Sequence, residues 1–166
     1  MNVNETGKQF IKDHEGYRLT VYDDGYGNLT VGYGHKVVAS DNLKAGDTIT
    51  AAKALTFLNS DISKVESKIN THPKVSKMTQ NMYNAIASLL FNVGTSPITD
   101  TSNDLYIVMN KNATYVKPFS DSITDEVVEA FTYTKAGGVR VQGLVNRRND
   151  ELNMFLETED VEYITM

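Results

Sequence analysis

Apolar residues alternate from Tyr17 through Leu19 and Val21, and again through Leu29, Val31 and Tyr33; from Ile49 onward they recur every third or fourth position. Alternation buries one face of a strand, and the longer period buries one face of a helix. A chain that changes period once gathers its strands in one stretch and its helices in the remainder. That pattern predicts an α+β fold with segregated lobes. The Asp23-Asp24-Gly25 cluster between the alternating runs marks a turn, so a small antiparallel hairpin or three-stranded sheet is expected. Gly25, Gly27, Gly32 and Gly34 permit tight turns and close backbone approach there.

The same stretch holds the candidate chemistry. Residues 4 to 14 read as a short helix, with Asn4 as its N-cap and Phe10 and Ile11 on its apolar face. Glu15 falls at its end, before the stop signal Gly16. A carboxyl group at the negative end of a helix dipole keeps its proton more readily, which suits a general acid. Asp24 and Thr30 complete the spacing E-x8-D-x5-T. Two carboxylates joined by a short hairpin are what acid/base work on an acetal needs: one to protonate the leaving oxygen, one to stay ionised. A hydroxyl in the same place can hold a water. Asp23 is the rival of Asp24, and only spacing favours the latter; strand alternation would point the two to opposite faces.

Helical periodicity organises the rest. Thr50 can cap a helix carrying Ala54, Leu55, Leu58, Ile62, Val65 and Ile69, running to about His72 and stopping before Pro73. Such a rod of about 30 Å is long enough to link two lobes. Thr79 can cap a second helix, apolar nearly all round and ending at Asn92-Val93-Gly94, the expected centre of the C-terminal lobe. Leu105 to Met109 begin another. Residues 110 to 121 read as irregular, with Pro118 as breaker; 124 to 133 as a helix capped by Thr124; Ala136-Gly137-Gly138 as a turn. The last helix, 143 to 156, turns Leu144, Val145, Leu152 and Phe155 inward.

Composition removes several classes. The 166-residue chain carries a net charge of −5, with a pI near 5.2. A nucleic-acid binder would show a basic excess. No run is apolar enough to cross a membrane, and the N-terminus lacks a signal peptide's basic and apolar regions. There is no cysteine. The GxG pairs lack the Lys-Ser/Thr of a phosphate loop, and residues 23–28 lack calcium-ligand spacing. His35 invites a metal or catalytic reading, but without further histidine ligands an imidazole hydrogen-bonded between the lobes at the substrate site is expected. His14 and His72 are expected at the surface. Arg147 and Arg148 read equally as solvated helix residues, and Glu151, Glu157, Glu159, Asp160 and Glu162 as a solvated acidic tail.

The run E-x8-D-x5-T followed by VGYGH resembles the signature of bacteriophage-type lysozymes, glycoside hydrolase family 24. TQNMYNAIASLLFNVG (79–94) is similar to that family's central helix, and AGGVRVQGLVNRRNDELNMF (136–155) to its C-terminal segment. The resemblance implies a lysozyme-like fold in a single catalytic domain, 1–166. A small antiparallel sheet lobe, about 12–60, would be joined by a long helix to a mostly helical lobe, about 60–166 together with the N-terminal helix, with the substrate cleft between them. It implies cleavage of the β-1,4 bond between N-acetylmuramic acid and N-acetylglucosamine in peptidoglycan, by inversion and without metal or cofactor. Glu15 then matches the general acid, and Asp24 with Thr30 the pair that positions water. His35, Phe91, Asn92 and Arg147 match substrate-lining residues, with Arg147 reaching the catalytic Glu. A monomeric phage endolysin is implied, made in the host cytoplasm and released to the wall through a holin, without stable membrane insertion or nucleic-acid partner. A non-catalytic virion or wall-binding module, or a hydrolase of a related glycan such as chitin, are the alternatives. Two departures stand out. Tyr133 occupies the place of a frequent Trp three residues before the AGG turn, and 98–121 fits the pattern poorly.

Overall fold

A computed structural model of the protein describes residues 1–111, 121–158 and 162–165, with the backbone alone at 111 and 121–123. The chain divides into two compact units: Lys8–Lys64, and Met1–Gly7 together with Val65–Met166.

The first unit is built on a three-stranded antiparallel sheet, β1 (Arg18–Asp23), β2 (Leu29–Gly32) and β3 (His35–Lys36), in the order β1-β2-β3. Alternation does its expected work: Val21 and Val31 point inward and pack with Ile49, Ala54 and Phe57 into a small core. The sheet is preceded by α1 (Glu5–His14) and followed, after a polar loop, by α2 (Ala51–Ile69). The Thr50 hydroxyl accepts the Lys53 N–H at 3.1 Å, capping α2 as the sequence predicts. The helix stops at Ile69 rather than near His72. The chain tightens there into turns, the His72 N–H bonding to the Ile69 carbonyl at 2.9 Å.

The second unit is helical: α3 (Gln80–Val93), α4 (Asp104–Lys111), α5 (Asp121–Ala130) and α6 (Gln142–Leu156). Thr79 caps α3, accepting the Met82 N–H at 3.2 Å, and every residue from Met82 to Leu90 is buried. Its main partner is α6. The N-terminal segment is clipped to α3 by amides. Asn84 Nδ2 donates to Asn4 Oδ1 at 2.8 Å, and Asn4 Oδ1 also accepts the Gly7 N–H at 3.0 Å, making Asn4 the expected cap of α1.

Several expectations need correction. α5 begins at Asp121, so Thr124 lies inside the helix and is not its cap. The irregular stretch expected at 110 to 121, with Pro118, lies outside the described residues except at its ends. The Ala136-Gly137-Gly138 turn belongs to a short hairpin, β4 (Lys135–Ala136) and β5 (Val139–Arg140), whose two loop glycines take φ of 57° and 81°. Positive φ at both loop positions matches the right-handed twist of such ribbons, which glycine reaches without strain. His72 is buried, not at the surface, and stands edge-on to the Tyr106 ring. Burial, aided by Lys74, lowers its pKa. The largest departure is on α6, where Arg147, Arg148 and Glu151 are all buried. Glu151 therefore belongs to no solvated tail.

Candidate active site

Glu15 follows α1 directly, its N–H still bonded to the Ile11 carbonyl at 3.0 Å. Its carboxyl group lies against Gly34: a Cβ added there would sit 3.0 Å from Glu15 Oε2. Gly34 has φ of +77° and closes the turn between β2 and β3. Tyr33 beside it packs against Tyr17, ring centroids 4.7 Å apart, with Lys12 Nζ 5.9 Å from the Tyr33 centroid.

Asp24 lies just past β1, in the turn, so alternation along a strand does not decide between it and Asp23. Hydrogen bonding separates them instead. Among the described residues Asp23 Oδ1 accepts the Gly25 N–H alone, at 2.7 Å. Asp24 Oδ1 accepts the N–H groups of Tyr26 (2.8 Å) and Asn28 (3.0 Å), and Asp24 Oδ2 accepts the Asn28 side-chain amide (2.8 Å). Asn28, chiefly through its side chain and then its backbone, and next the Tyr26 N–H, hold the Asp24 carboxyl below its ordinary value. Oδ2 keeps a free lone pair for a further donor. Thr30 is buried on β2, opposite Tyr22 and Lys36.

His35 is buried and occupied on both nitrogens. Nδ1 meets Asp61 Oδ2 at 2.6 Å, Nε2 meets Asp41 Oδ2 at 3.1 Å, and the ring stacks on Phe57 at 3.9 Å. All these partners lie within Lys8–Lys64, so the imidazole ties the first unit together. With both nitrogens engaged it offers no ring N–H or lone pair to a sugar.

The other expected residues lie in the helical unit. Phe91 and Asn92 are in the last turn of α3. Asn92 is exposed on the wall of a cleft of about 610 Å³, with Tyr133, Thr134, Lys135, Ala136 and Leu144 among its neighbours. Asn103 Nδ2 donates to the Tyr133 hydroxyl at 2.7 Å. Arg147 donates from Nε to Glu151 Oε1 (3.1 Å) and from Nη2 to the Ser88 carbonyl (3.2 Å). The structure thus puts Glu15, Asp24, Thr30 and His35 in one unit, and Phe91, Asn92 and Arg147 in the other. Sequence reasoning named Gly34 only as one of four turn glycines, without placing it against Glu15, and missed Asn28. An Asn closing a turn opened by Asp was a usable sign of the latter.

The family model described as phage lysozyme matches residues 12–151. An endolysin of Acyrthosiphon pisum secondary endosymbiont phage 1 is 43% identical over 102 residues, covering 61% of this chain and 66% of that protein. The endolysin of Salmonella phage P22 is 31% identical over 157 residues, covering 94% and 99% respectively. The solved endolysin of Escherichia coli O157:H7 phage FAHEc1 superposes with a TM-score of 0.76 at 28% identity, covering 99% of this chain and 98% of that one.

Proposed function

The chain belongs to the phage lysozyme family, whose members hydrolyse peptidoglycan, and from that premise we propose how its own residues open the glycosidic bond. Glu15 donates its proton to the bridging oxygen as the bond from the anomeric carbon to that oxygen breaks. Positive charge grows on the sugar ring, and the Asp24 carboxylate stabilises it. A water held by Asp24 and Thr30 adds to the anomeric carbon and passes its proton to Asp24. The bond cleaved is the β-1,4 link between N-acetylmuramic acid and N-acetylglucosamine, with inversion. Asn92 and Phe91 line the path of the polymer. The two units serve as one catalytic domain, acting as a monomer on the wall after release from the host cytoplasm through a holin. No described helix is long and apolar enough to cross a membrane.

The observation that carries this reading is the contrast between the two carboxyl groups. Three N–H donors surround that of Asp24 and favour its ionised form, whereas that of Glu15 lies at the C-terminal end of α1 against a glycine. Pairs of carboxyl groups in unlike surroundings divide acid and base roles. The test is Glu15→Gln, assayed by clearing of chloroform-treated Gram-negative cells. An amide cannot donate the proton, so clearing should fall by about 10²–10⁴-fold with an unchanged circular dichroism spectrum. A folded variant that keeps more than about a tenth of the activity removes Glu15 from the acid's role.

A further inference from the structure

Arg148 is completely buried and has no part in the chemistry just described. Its guanidinium ties three segments together. Toward Glu151 it presents Nε, 2.7 Å from Oε2, and Nη2, 2.9 Å from Oε1. From Nη1 it donates to Asn92 Oδ1 at 3.2 Å and, more weakly, to the Tyr133 carbonyl at 3.5 Å. Both Asn92 and Tyr133 stand on the wall of the 610 Å³ cleft.

A guanidinium has N–H donors and no acceptor. The atom of the Asn92 amide that faces it must therefore be the oxygen, since the flipped amide would set NH2 against N–H. The network thus decides which way the amide points. Glu151 balances the Arg148 charge from behind, so Arg148 meets Asn92 as an oriented donor rather than as a bare cation. What Asn92 has left for the cleft is its NH2 group, a donor that meets an acceptor oxygen, and the glycan's most abundant strong neutral acceptors are its amide carbonyls.

We propose that Arg148 is a positioning residue: it fixes the Asn92 amide with its NH2 toward the cleft, which makes this wall selective for an amide carbonyl of the glycan substrate. This rests on the reading of Asn92 as a substrate-lining residue. Amide carbonyls reach the cleft from two sources, the N-acetyl groups of the sugars and the peptide stems, and the experiment separates them.

The decisive variant is Asn92→Asp. It keeps the side-chain shape and an oxygen for Arg148 to bond, but replaces the outward donor with an acceptor. KM on soluble peptidoglycan fragments should rise about tenfold, the value of one hydrogen bond between well-placed groups, with the loss falling on KM rather than kcat. The thermal midpoint should hold or rise. Repeating the comparison on fragments stripped of peptide, and on fragments freed of N-acetyl groups, locates the carbonyl: the penalty vanishes on whichever substrate lacks it. Survival of the full penalty on both overturns carbonyl recognition. Arg148→Lys keeps a cation near Glu151 but loses the fork. It should raise KM as Asn92→Ala does, and the double variant should be no worse in KM than Asn92→Ala alone. Additive losses in KM overturn positioning; if Arg148→Lys does not fold, Asn92→Asp alone decides. An unchanged KM in Asn92→Ala instead refutes the underlying placement of Asn92 at the substrate. A raised KM in Asn92→Ala with a normal one in Asn92→Asp refutes only the orientation proposed.

Discussion

A methyl group at position 34 would crowd Glu15. Gly34→Ala would bring a Cβ to 3.0 Å from Glu15 Oε2 and would require alanine to hold φ of +77°. The left-handed conformation costs a non-glycine residue about 1–2 kcal/mol, a loss the unit can bear. Even a small displacement of a reacting group lowers rate, about 10²-fold for 1 Å. Gly34→Ala, which shifts the Glu15 carboxyl by less than that, should therefore stay folded with clearing activity down about two- to tenfold, measured beside its melting curve. Full activity would take Gly34 out of the site. Asn28 bears on the second carboxyl group. Its side chain, more than any other contact, keeps the Asp24 carboxyl below its ordinary value. A depressed folded pKa means the charge persists as pH falls and is lost only below the ordinary range. Removing the amide in Asn28→Ala brings protonation on at higher pH. The acid limb of kcat/KM on a soluble oligosaccharide should move upward while the alkaline limb stays in place. An acid limb that stays fixed in the folded variant would mean that another group governs it.

At the scale of elements, α6 carries the most unusual chemistry. Glu151 is wholly buried and accepts from the Ser88 hydroxyl (2.7 Å), from Arg147 Nε (3.1 Å) and from Arg148 Nη2 (2.9 Å). Burial pushes its carboxyl up, while Arg148, Arg147 and then Ser88 pull against that shift. Replacing such an ion network by a packed apolar one can be neutral, but removing a single member strands the others. Glu151→Ala takes from two buried guanidiniums the carboxylate they share, so a loss of about 3–5 kcal/mol is expected in urea unfolding. A loss under about 1 kcal/mol would show that water reaches and solvates the pair. This network was not legible in the sequence. Periodicity registers apolar residues, and Arg and Glu on a terminal helix read as solvated because they are rarely buried unless paired. α2 and α3 were legible in type, and their starts within a residue, because Thr50 and Thr79 stand as caps directly before long apolar repeats. The ends were less so: α2 halts at Ile69 through turn hydrogen bonds that no residue type announces. The β4–β5 hairpin escaped for another reason, since two residues per strand cannot display an alternation. In the candidate site, Glu15, Asp24 and Thr30 were legible from spacing as candidates. What keeps Asp24 distinct from Asp23 was not, because it is a set of turn hydrogen bonds rather than a strand face.

For the whole molecule, the net charge of −5 on 166 residues sets the long-range field. Peptidoglycan carries free carboxylates on its peptide stems, so enzyme and substrate repel before they touch. Each unit has its own buried core, and in the sheet unit the His35 ring lies 2.6 Å from Asp61, both largely buried. Salt screens contacts of this kind far less than it screens charges separated by more than a Debye length. Raising ionic strength from about 0.01 M to 0.15 M shortens that length from about 30 Å to 8 Å. The fold should hardly respond, but encounter with the wall should quicken. We therefore expect the initial clearing rate at limiting substrate to rise over this range, with kcat on a short neutral oligosaccharide unchanged. A basic enzyme on the same wall would lose rate instead, since salt would screen an attraction. Neutralising exposed acids that are not among the candidate residues, as in Asp125→Asn with Glu129→Gln, should raise the low-salt rate and flatten the salt dependence. A clearing rate that falls with salt would mean that a local basic surface, rather than the net charge, guides this protein to the wall.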